Sequence, residues 1–564
     1  MSRQNSNPPC PKCGESLSRN GKTPAGKQRW RCGGSGRNTK GCGYSTTDPS
    51  APARDQKGEA TDEDLKNPQY RRKLSGIKRF VITAAQNATP VHMEFLKSLR
   101  QYCAHNDAEL VVIPIRYKNP TSRWTDSQAN REHWLRDVAE QDLAEMGVNA
   151  GNFEKYYPDR TWGRLLDEIA SSYLYNQRKK LCENLVLLGD IKTVPTADRP
   201  LSQFEAITHG ESGILGHTKL QLTTIPTPQG MYPKVMTTTG ALTVPNYTDS
   251  KSGKKGEFHH TLGAVAVDIV GTKFFIRQIN ADKRNGDFID LEYWYTPDEV
   301  LDAGPALALV MGDTHRAFID SKVEAATFGK GGIVEALDPK MLVFHDLHDG
   351  YAENPHHIND AFSALAKRKY SMDHIETEIR EDVEWLEKVV GKTRTGVIVA
   401  SNHDNFLSRW IRTTDWRKDP VNAEFYLETA LAMARSTEMT NHGASVMDPF
   451  TWWVGRLKKD DIDIRTPGAS DSFMVADIEL GMHGDRGPNG ARGTRMNLRR
   501  IGVKSIIGHS HSPGIEEGCY QVGTSSPLRL EYNSGPSSWL NTHCVVYANG
   551  KRCLLNIIDG QWRF

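Results

Sequence analysis

An α/β fold built in several units is what the sequence predicts, on three observations. The chain has 564 residues, more than one hydrophobic core usually serves. Short apolar runs alternate with stretches of helical periodicity over most of its length. Composition and charge shift near residues 48 and 75. These shifts divide the chain into a basic, cysteine-bearing module at 1–48, a linker at 49–75, an α/β then β-rich unit of unassigned role at 76–300, and a second α/β unit at 301–564.

Apolar residues make up 38% and charged residues 25% of the chain, an ordinary composition for a water-soluble protein. No window approaches 18 uncharged apolar residues, which argues against a membrane-spanning helix. The first nine residues lack the apolar core of a secretory signal, so a cytoplasmic protein without membrane contact is expected. Nine cysteines in such a chain suggest metal ligands or thiols, not a disulfide frame.

The module at 1–48 carries nine Lys or Arg against Glu15 and Asp48, a charge of +7 that leaves −5 for the other 516 residues. A basic head on a mildly acidic body points to a polyanion partner. Cys10 and Cys13 have the spacing of a zinc knuckle, and Cys32 and Cys42 complete four thiolates; one structural Zn²⁺ is expected. So small a unit has too little core to fold unaided, and metal would stabilise it. The string from Cys10 to Cys32 resembles the zinc ribbons of DNA-associated proteins. Arg29 and Arg31 flank Trp30, cations beside a stacking surface that suits phosphate backbones and unpaired bases. Cys103, Cys182, Cys519, Cys544 and Cys553 lack ligand spacing.

In the middle unit, Arg79–Thr83 reads as a strand, Val91–His105 as a helix and Ala108–Ile115 as a parallel strand. Helices are expected at Ala129–Met146 and Trp162–Lys180, a strand at Asn184–Leu188, and β-structure from Leu220 to Tyr295. In the last unit, apolar runs end repeatedly at Asp, His or Asn. Ala306–Met311 precedes Asp313, Met341–Phe344 precedes His345 and Asp346, and Val397–Ala400 precedes Ser401 and Asn402. Phe473–Leu480 lies before His483, and Ser505–Ile507 before Gly508. Buried strands delivering polar residues at their carboxyl ends are how open α/β sheets build sites. Amphipathic helices are expected at Met372–Val390, capped by Ser371, and at Val421–Ser436, with hairpins after His511 and a turn at Asn549-Gly550.

Eleven of the 19 histidines fall between Asp313 and His511. Asp313 and His315 alternate on one strand end and can face one ion. Asp346 offers a bridging carboxylate, Asn402 an amide oxygen, and His483, His509 and His511 imidazoles. Mixed O and N donors without thiolate suit Mn²⁺, Fe or Zn²⁺, with Mn²⁺ the first expectation. Two such ions would polarise a phosphoryl oxygen and lower the pKa of a bridging water.

The blocks Asp313-x-His315, Asp346-x-x-Asp349, Asn402-His403-Asp404, His483 and Gly508-His509-x-His511 resemble, in order, the calcineurin-like metallophosphoesterase superfamily, over about 260 residues. The resemblance implies a β-sandwich flanked by helices. It implies Asp313, His315, Asp346 and His511 around a first ion, and Asp346, Asn402, His483 and His509 around a second. It makes His403 the proton donor to the leaving alkoxide, with Asp404 orienting its imidazole, and leaves Asp349 a hydrogen-bond partner in its turn. The chain departs from the pattern at His345 and Ser401, where glycine is usual, so His345 could narrow the loop or touch substrate. His348 and Arg486 are further candidate substrate contacts. His259, His260, His356, His357 and the acidic helix Glu376–Glu387 read as structure or solvated surface.

These readings favour a two-metal phosphodiesterase acting on nucleic acid, with DNA as partner and DNase activity expected. The whole also resembles the large early proteins by which tailed phages take over a host and degrade its DNA. Two alternatives stand beside it: a phosphomonoesterase acting on phosphoprotein or nucleotide, and a takeover factor that binds DNA or host proteins through the middle unit.

Overall fold

The strand Ala308–Val310 shows how the fold is layered. In the computed structural model, which describes residues 7–10, 16–22, 26–33, 45–47, 74–86, 89, 91–115, 173–357, 360–530 and 533–563, its side chains alternate between two cores. Leu309 packs with Leu342, Phe344, Ile398 and Val545 and with Ile379, Val383 and Leu386 of the helix Ile375–Val390. Ala308 and Val310 face the other way, into a core shared with Leu222, Val235, Ile506, Ile515 and Tyr520. Period-two alternation on a strand buried on both faces produces this arrangement.

Ala308–Val310 lies in a six-stranded sheet in the order Asp463–Arg465, Thr395–Ile398, Met341–Phe344, Ala308–Val310, Thr542–Val546, Arg552–Asn556. The first four strands are parallel and the last two antiparallel. Helices cover one face, and the opposite face shares its core with a ten-stranded sheet. That sheet runs Met474–Val475, Ile478–Glu479, Lys504–Ile507, Cys519–Gln521, Gly514–Glu516, Gln221–Ile225, Lys234–Thr238, Ser212–Leu215, Leu185–Leu188, Arg178–Cys182. It crosses the boundary expected near residue 300, through the antiparallel pairing of Ile515 with Leu222. The described residues of 74–115 and 173–563 accordingly belong to one compact unit.

The middle segment contributes a third sheet, Lys273–Asn280, Gly263–Val270, Arg79–Gln86 and Glu109–Ile115, the last two parallel. Phe95, Leu96, Leu99 and Tyr102 of the helix Met93–Asn106 pack on one of its faces, as the sequence predicts. Across the sheet, Arg277 is buried between Asp268 (2.5 Å) and Asp290 (2.9 Å).

The described residues between 7 and 47 belong to a second compact unit. It holds a three-stranded antiparallel sheet, Ser18–Lys22, Gln28–Arg31 and Ser45–Thr46. Cys10 and Cys32 are buried together with Leu17, and Trp30 packs against them. Cys13 and Cys42 lie outside the described residues. Strand alternation on Gln28–Arg31 puts Arg29 and Arg31 on the exposed face. Trp30 turns to the other, where it takes Arg19, whose guanidinium carbon is 5.6 Å from the ring centroid.

Other expectations are corrected. The helix expected at 129–146 and most of that at 162–180 lie outside the described residues, as does the linker except for its last two residues. The end of the second, Arg178–Lys180, belongs instead to the strand Arg178–Cys182, because Glu183-Asn184 turn it back onto Leu185–Leu188. Phe473–Leu480 is not one strand but a hairpin around Ala476 and Asp477, both with positive φ. Ser371 does not cap the following helix, which starts at Ile375; the Ile375 N–H donates instead to Asn422 Oδ1 at 3.0 Å. Among the described residues, no helix is long and apolar enough to cross a membrane.

Candidate metal centre

Each expected block stands at the end of a strand of one of the two packed sheets. Asp313 and His315 follow Ala308–Val310, Asp346 follows Met341–Phe344, Asn402 and His403 follow Thr395–Ile398, and His509 and His511 follow Lys504–Ile507. His483 follows the short strand Ile478–Glu479. Backbone bonds His315 N–H to Asp346 O (2.7 Å) and Gly508 N–H to His483 O (2.7 Å) tie neighbouring ends together. His315, Asp346, His509 and His511 have φ of 43°, 42°, 75° and 57°. This left-handed conformation bends each chain end away from its strand, and non-glycine residues held there cluster at functional sites.

All seven expected ligands converge. Donor atoms of Asp313, His315, Asp346 and His511 lie within 4.8 Å of one another. His511 Nε2 stands 3.1 Å from Asp313 Oδ2 and 3.1 Å from His315 Nε2. On the other side of Asp346, His483 Nε2 lies 3.2 Å from Asp346 Oδ2 and 3.1 Å from Asn402 Oδ1, and His509 Nδ1 lies 2.9 Å from that same amide oxygen. Asp346 Oδ2 is also 3.8 Å from His315 Nε2, so one carboxylate touches both groups.

A cation fits this donor set. Asp313 Oδ1 and Asp346 Oδ1 are buried and accept no hydrogen bond from any described residue, a costly state for a carboxylate without a positive partner. A Cβ on Gly508 would stand 2.1 Å from Asp313 Oδ1, so glycine is needed there to leave the carboxylate room. Burial pushes the Asp346 carboxyl up, but His483 and His403 outweigh it and hold it well below the usual range. Burial pushes His483 down, yet Asp346 and Asp313 raise it to about 9. His315 rises to about 8 against its burial, chiefly through Asp349.

Asp349 has a larger part than the sequence suggests. Its Oδ1 accepts from His315 Nδ1 at 2.8 Å, which fixes the tautomer and leaves Nε2 facing the centre. Its main-chain oxygen accepts from His403 Nδ1 at 2.7 Å. This corrects the role expected of Asp404, which does not touch His403. Asp404 Oδ2 instead accepts from Ser401 N–H at 3.0 Å and holds the turn before Asn402; burial, with Asp448 and Asp346, raises it to about 7. His403 is held near His315 with ring centroids 4.7 Å apart. Burial lowers His403, against the pull of Asp346.

Two candidate substrate contacts are corrected. His345 is fully buried behind the centre, its Nδ1 3.4 Å from His483 Nδ1, so it backs a ligand and cannot meet substrate. His348 is fully buried as well, between Asp382 (2.7 Å) and Glu353 (2.9 Å), stacked on Phe450. Arg316 bonds the same Asp382 at 2.6 Å, so the loops bearing His315 and Asp346 are both anchored to the helix Ile375–Val390. Arg486 is exposed, 3.5 Å from Asp485. Trp539, which no motif flags, stacks edgewise on His511 at 4.1 Å. Asn402, His403 and His509 are only half-buried, and there the centre meets solvent.

No family model matches the chain. It is 32% identical over 497 residues to Protein A1 of Escherichia phage T5, a match that covers 86% of this chain and 83% of that protein. The chain belongs to the family of that phage protein.

Proposed function

We propose that this member of the phage protein family is a two-metal phosphodiesterase of the metallophosphoesterase type that hydrolyses nucleic acid, with DNA as its substrate. The observation that carries the reading is Asp346, whose single oxygen Oδ2 reaches His483 on one side and His315 on the other. Around it, Asp313, His315 and His511 would hold one divalent cation, and Asn402, His483 and His509 a second, with Mn²⁺ the first to test. When bound, such a pair supplies Lewis-acid polarisation of a phosphoryl group and an activated water.

The chain's own residues do the rest. Asp349 fixes the His315 ring, and Asp404 fixes the turn that presents Asn402. His403 Nδ1–H donates to Asp349 O, which leaves Nε2 as the atom that would carry a proton to a departing 3′ or 5′ oxygen. The exposed arginines Arg29 and Arg31 in the +7 head suit a phosphate backbone. The kinship is to a phage protein, and a role in degrading host DNA accords with this chemistry.

The test is digestion of linear and circular, single- and double-stranded DNA by the full chain with Mn²⁺. The reading requires that DNA be lost and that Asp346→Ala abolish the loss. Hydrolysis of aryl phosphate monoesters with DNA left intact would hand the site to the phosphatase reading.

A further inference from the structure

Five arginines follow His483 within one short stretch, Arg486, Arg492, Arg495, Arg499 and Arg500, and the fold divides them. Arg495 reaches inward to Ser512 O at 2.6 Å, and Arg499 bridges Glu516 and Glu517 at 3.0 and 3.1 Å. Both serve the packing of the strand Gly514–Glu516. Arg486 and Arg492 do the opposite: they are exposed and face each other across an antiparallel bridge. Gly493 N–H donates to Asp485 O at 2.8 Å and Gly487 N–H to Ala491 O at 2.6 Å, closing the loop between them.

Like charges placed directly across two strands repel. Arg486 has Asp485 at 3.5 Å as a partial counter-ion, and no described carboxylate pairs with Arg492. The loop is nevertheless built tightly. A Cβ on Gly493 would stand 1.9 Å from Gly484 O, and one on Gly484 would meet Gly508 O at 3.3 Å. Its root is thus pressed onto the residue before His509, at the edge of the centre where Asn402 and His509 reach solvent.

We infer that Arg486 and Arg492 form a phosphate clamp at the rim of the metal centre, which grips the backbone of a nucleic acid next to the scissile bond. This rests on the proposed phosphodiesterase reading and names the residues that position its substrate. A guanidinium pair resolves its own repulsion by sharing an anion, and arginine's planar fork matches phosphate oxygens in pairs.

The test is duplex binding by the full chain, followed by fluorescence anisotropy of a labelled oligonucleotide from 50 to 300 mM salt, in EDTA and in Ca²⁺. Each phosphate contact contributes about 0.9 to the slope of log affinity against log salt. The double variant Arg486→Gln/Arg492→Gln releases the one phosphate the pair shares and is expected to lower that slope by about 0.9, and Arg486→Lys/Arg492→Lys to restore it, while Arg500→Gln, outside the loop, leaves it where it was. Circular dichroism checks that the variants fold. A slope unmoved by the double glutamine variant overturns the clamp. Wild-type chain that holds no duplex in either condition defeats the nucleic-acid reading itself, a separate result.

Discussion

Asp349→Ala tests how the centre is held, because this residue supports two imidazoles through different atoms. Its carboxylate binds His315 Nδ1 and its main-chain oxygen binds His403 Nδ1, so alanine removes the first bond and keeps the second. The lost bond is charge-assisted and buried, worth about 1.5–3 kcal/mol, or roughly 10- to 100-fold in an equilibrium constant. Loss of a partner behind a ligating histidine weakens metal binding by a similar factor. The size of the deficit depends on pH in a direction that can be worked out. Asp349 raises the proton affinity of His315 as well as its metal affinity, to a pKa of about 8, so at pH 7 a cation must displace a proton in the wild type. Alanine removes part of that competition, and the deficit shrinks at pH 7. At pH 8.5, above the competition, it appears in full. Asparagine keeps an acceptor without the charge and should lose several-fold less. Calorimetric titration of chelator-stripped protein with Mn²⁺ at both pH values measures this, with a melting curve to check the fold. Folded Asp349→Ala that binds Mn²⁺ within threefold of wild type at pH 8.5 would refute the role given to that carboxylate.

Three further outcomes are expected. His403→Ala should retain Mn²⁺ stoichiometry and lose about 10²- to 10⁴-fold in turnover of DNA, measured by metal titration beside a digestion assay; loss of metal instead would make His403 a ligand. Acid should destabilise the chain below pH 6.5, because His217, His260 and His543 are buried and lowered by that burial to about 4, 3 and 3. The unfolded chain takes up protons at 6.5 where the folded one refuses them, so this stability is complete above pH 6.5 and drains away toward pH 4, about 3 kcal/mol for His217 alone; melting curves from pH 7.5 to 4.5 should flatten in His217→Asn, and an unchanged profile counts against it. Arg277→Leu should cost about 3–5 kcal/mol in urea unfolding by stranding Asp268 and Asp290 in the core, and a loss below 1 kcal/mol would show that the cluster is not what holds that sheet.

The strand ends were legible in the sequence because an apolar run that stops at Asp, His or Asn is a local signal. Asp313, Asp346, Asn402 and His509 could therefore be grouped before their convergence was seen. What was not legible depends on pairing between distant segments. Gln221–Ile225 and Gly514–Glu516 pair across nearly 300 residues, and nothing local in either announces it, so a boundary near 300 looked natural. His345 and His348 looked like cleft residues because they flank Asp346, but the helix Ile375–Val390 brings Asp382 onto His348, and the strand end at His483 covers His345. Asp404 seemed the natural partner of its neighbour His403, yet residues adjacent at a helix start diverge, and a carbonyl 54 positions earlier is nearer.

The left-handed backbone at His315, Asp346, His509 and His511 explains why these residue types, and not merely any donors, end these strands. Such a φ costs most residues on the order of 1–3 kcal/mol, and β-branched side chains fare worst, whereas Asp, Asn and His tolerate it best among non-glycine residues. The side chains that can ligate a cation are thus also those that can turn the chain sharply at a strand end. The turn is held in place by backbone bonds that join one ligand-bearing end to the next: Thr314 N–H to His345 O (2.8 Å), His315 N–H to Asp346 O (2.7 Å), Arg316 N–H to Leu347 O (3.0 Å). Donor placement and backbone strain are therefore one feature of the packed sheets, and the fold of these turns should survive chelation.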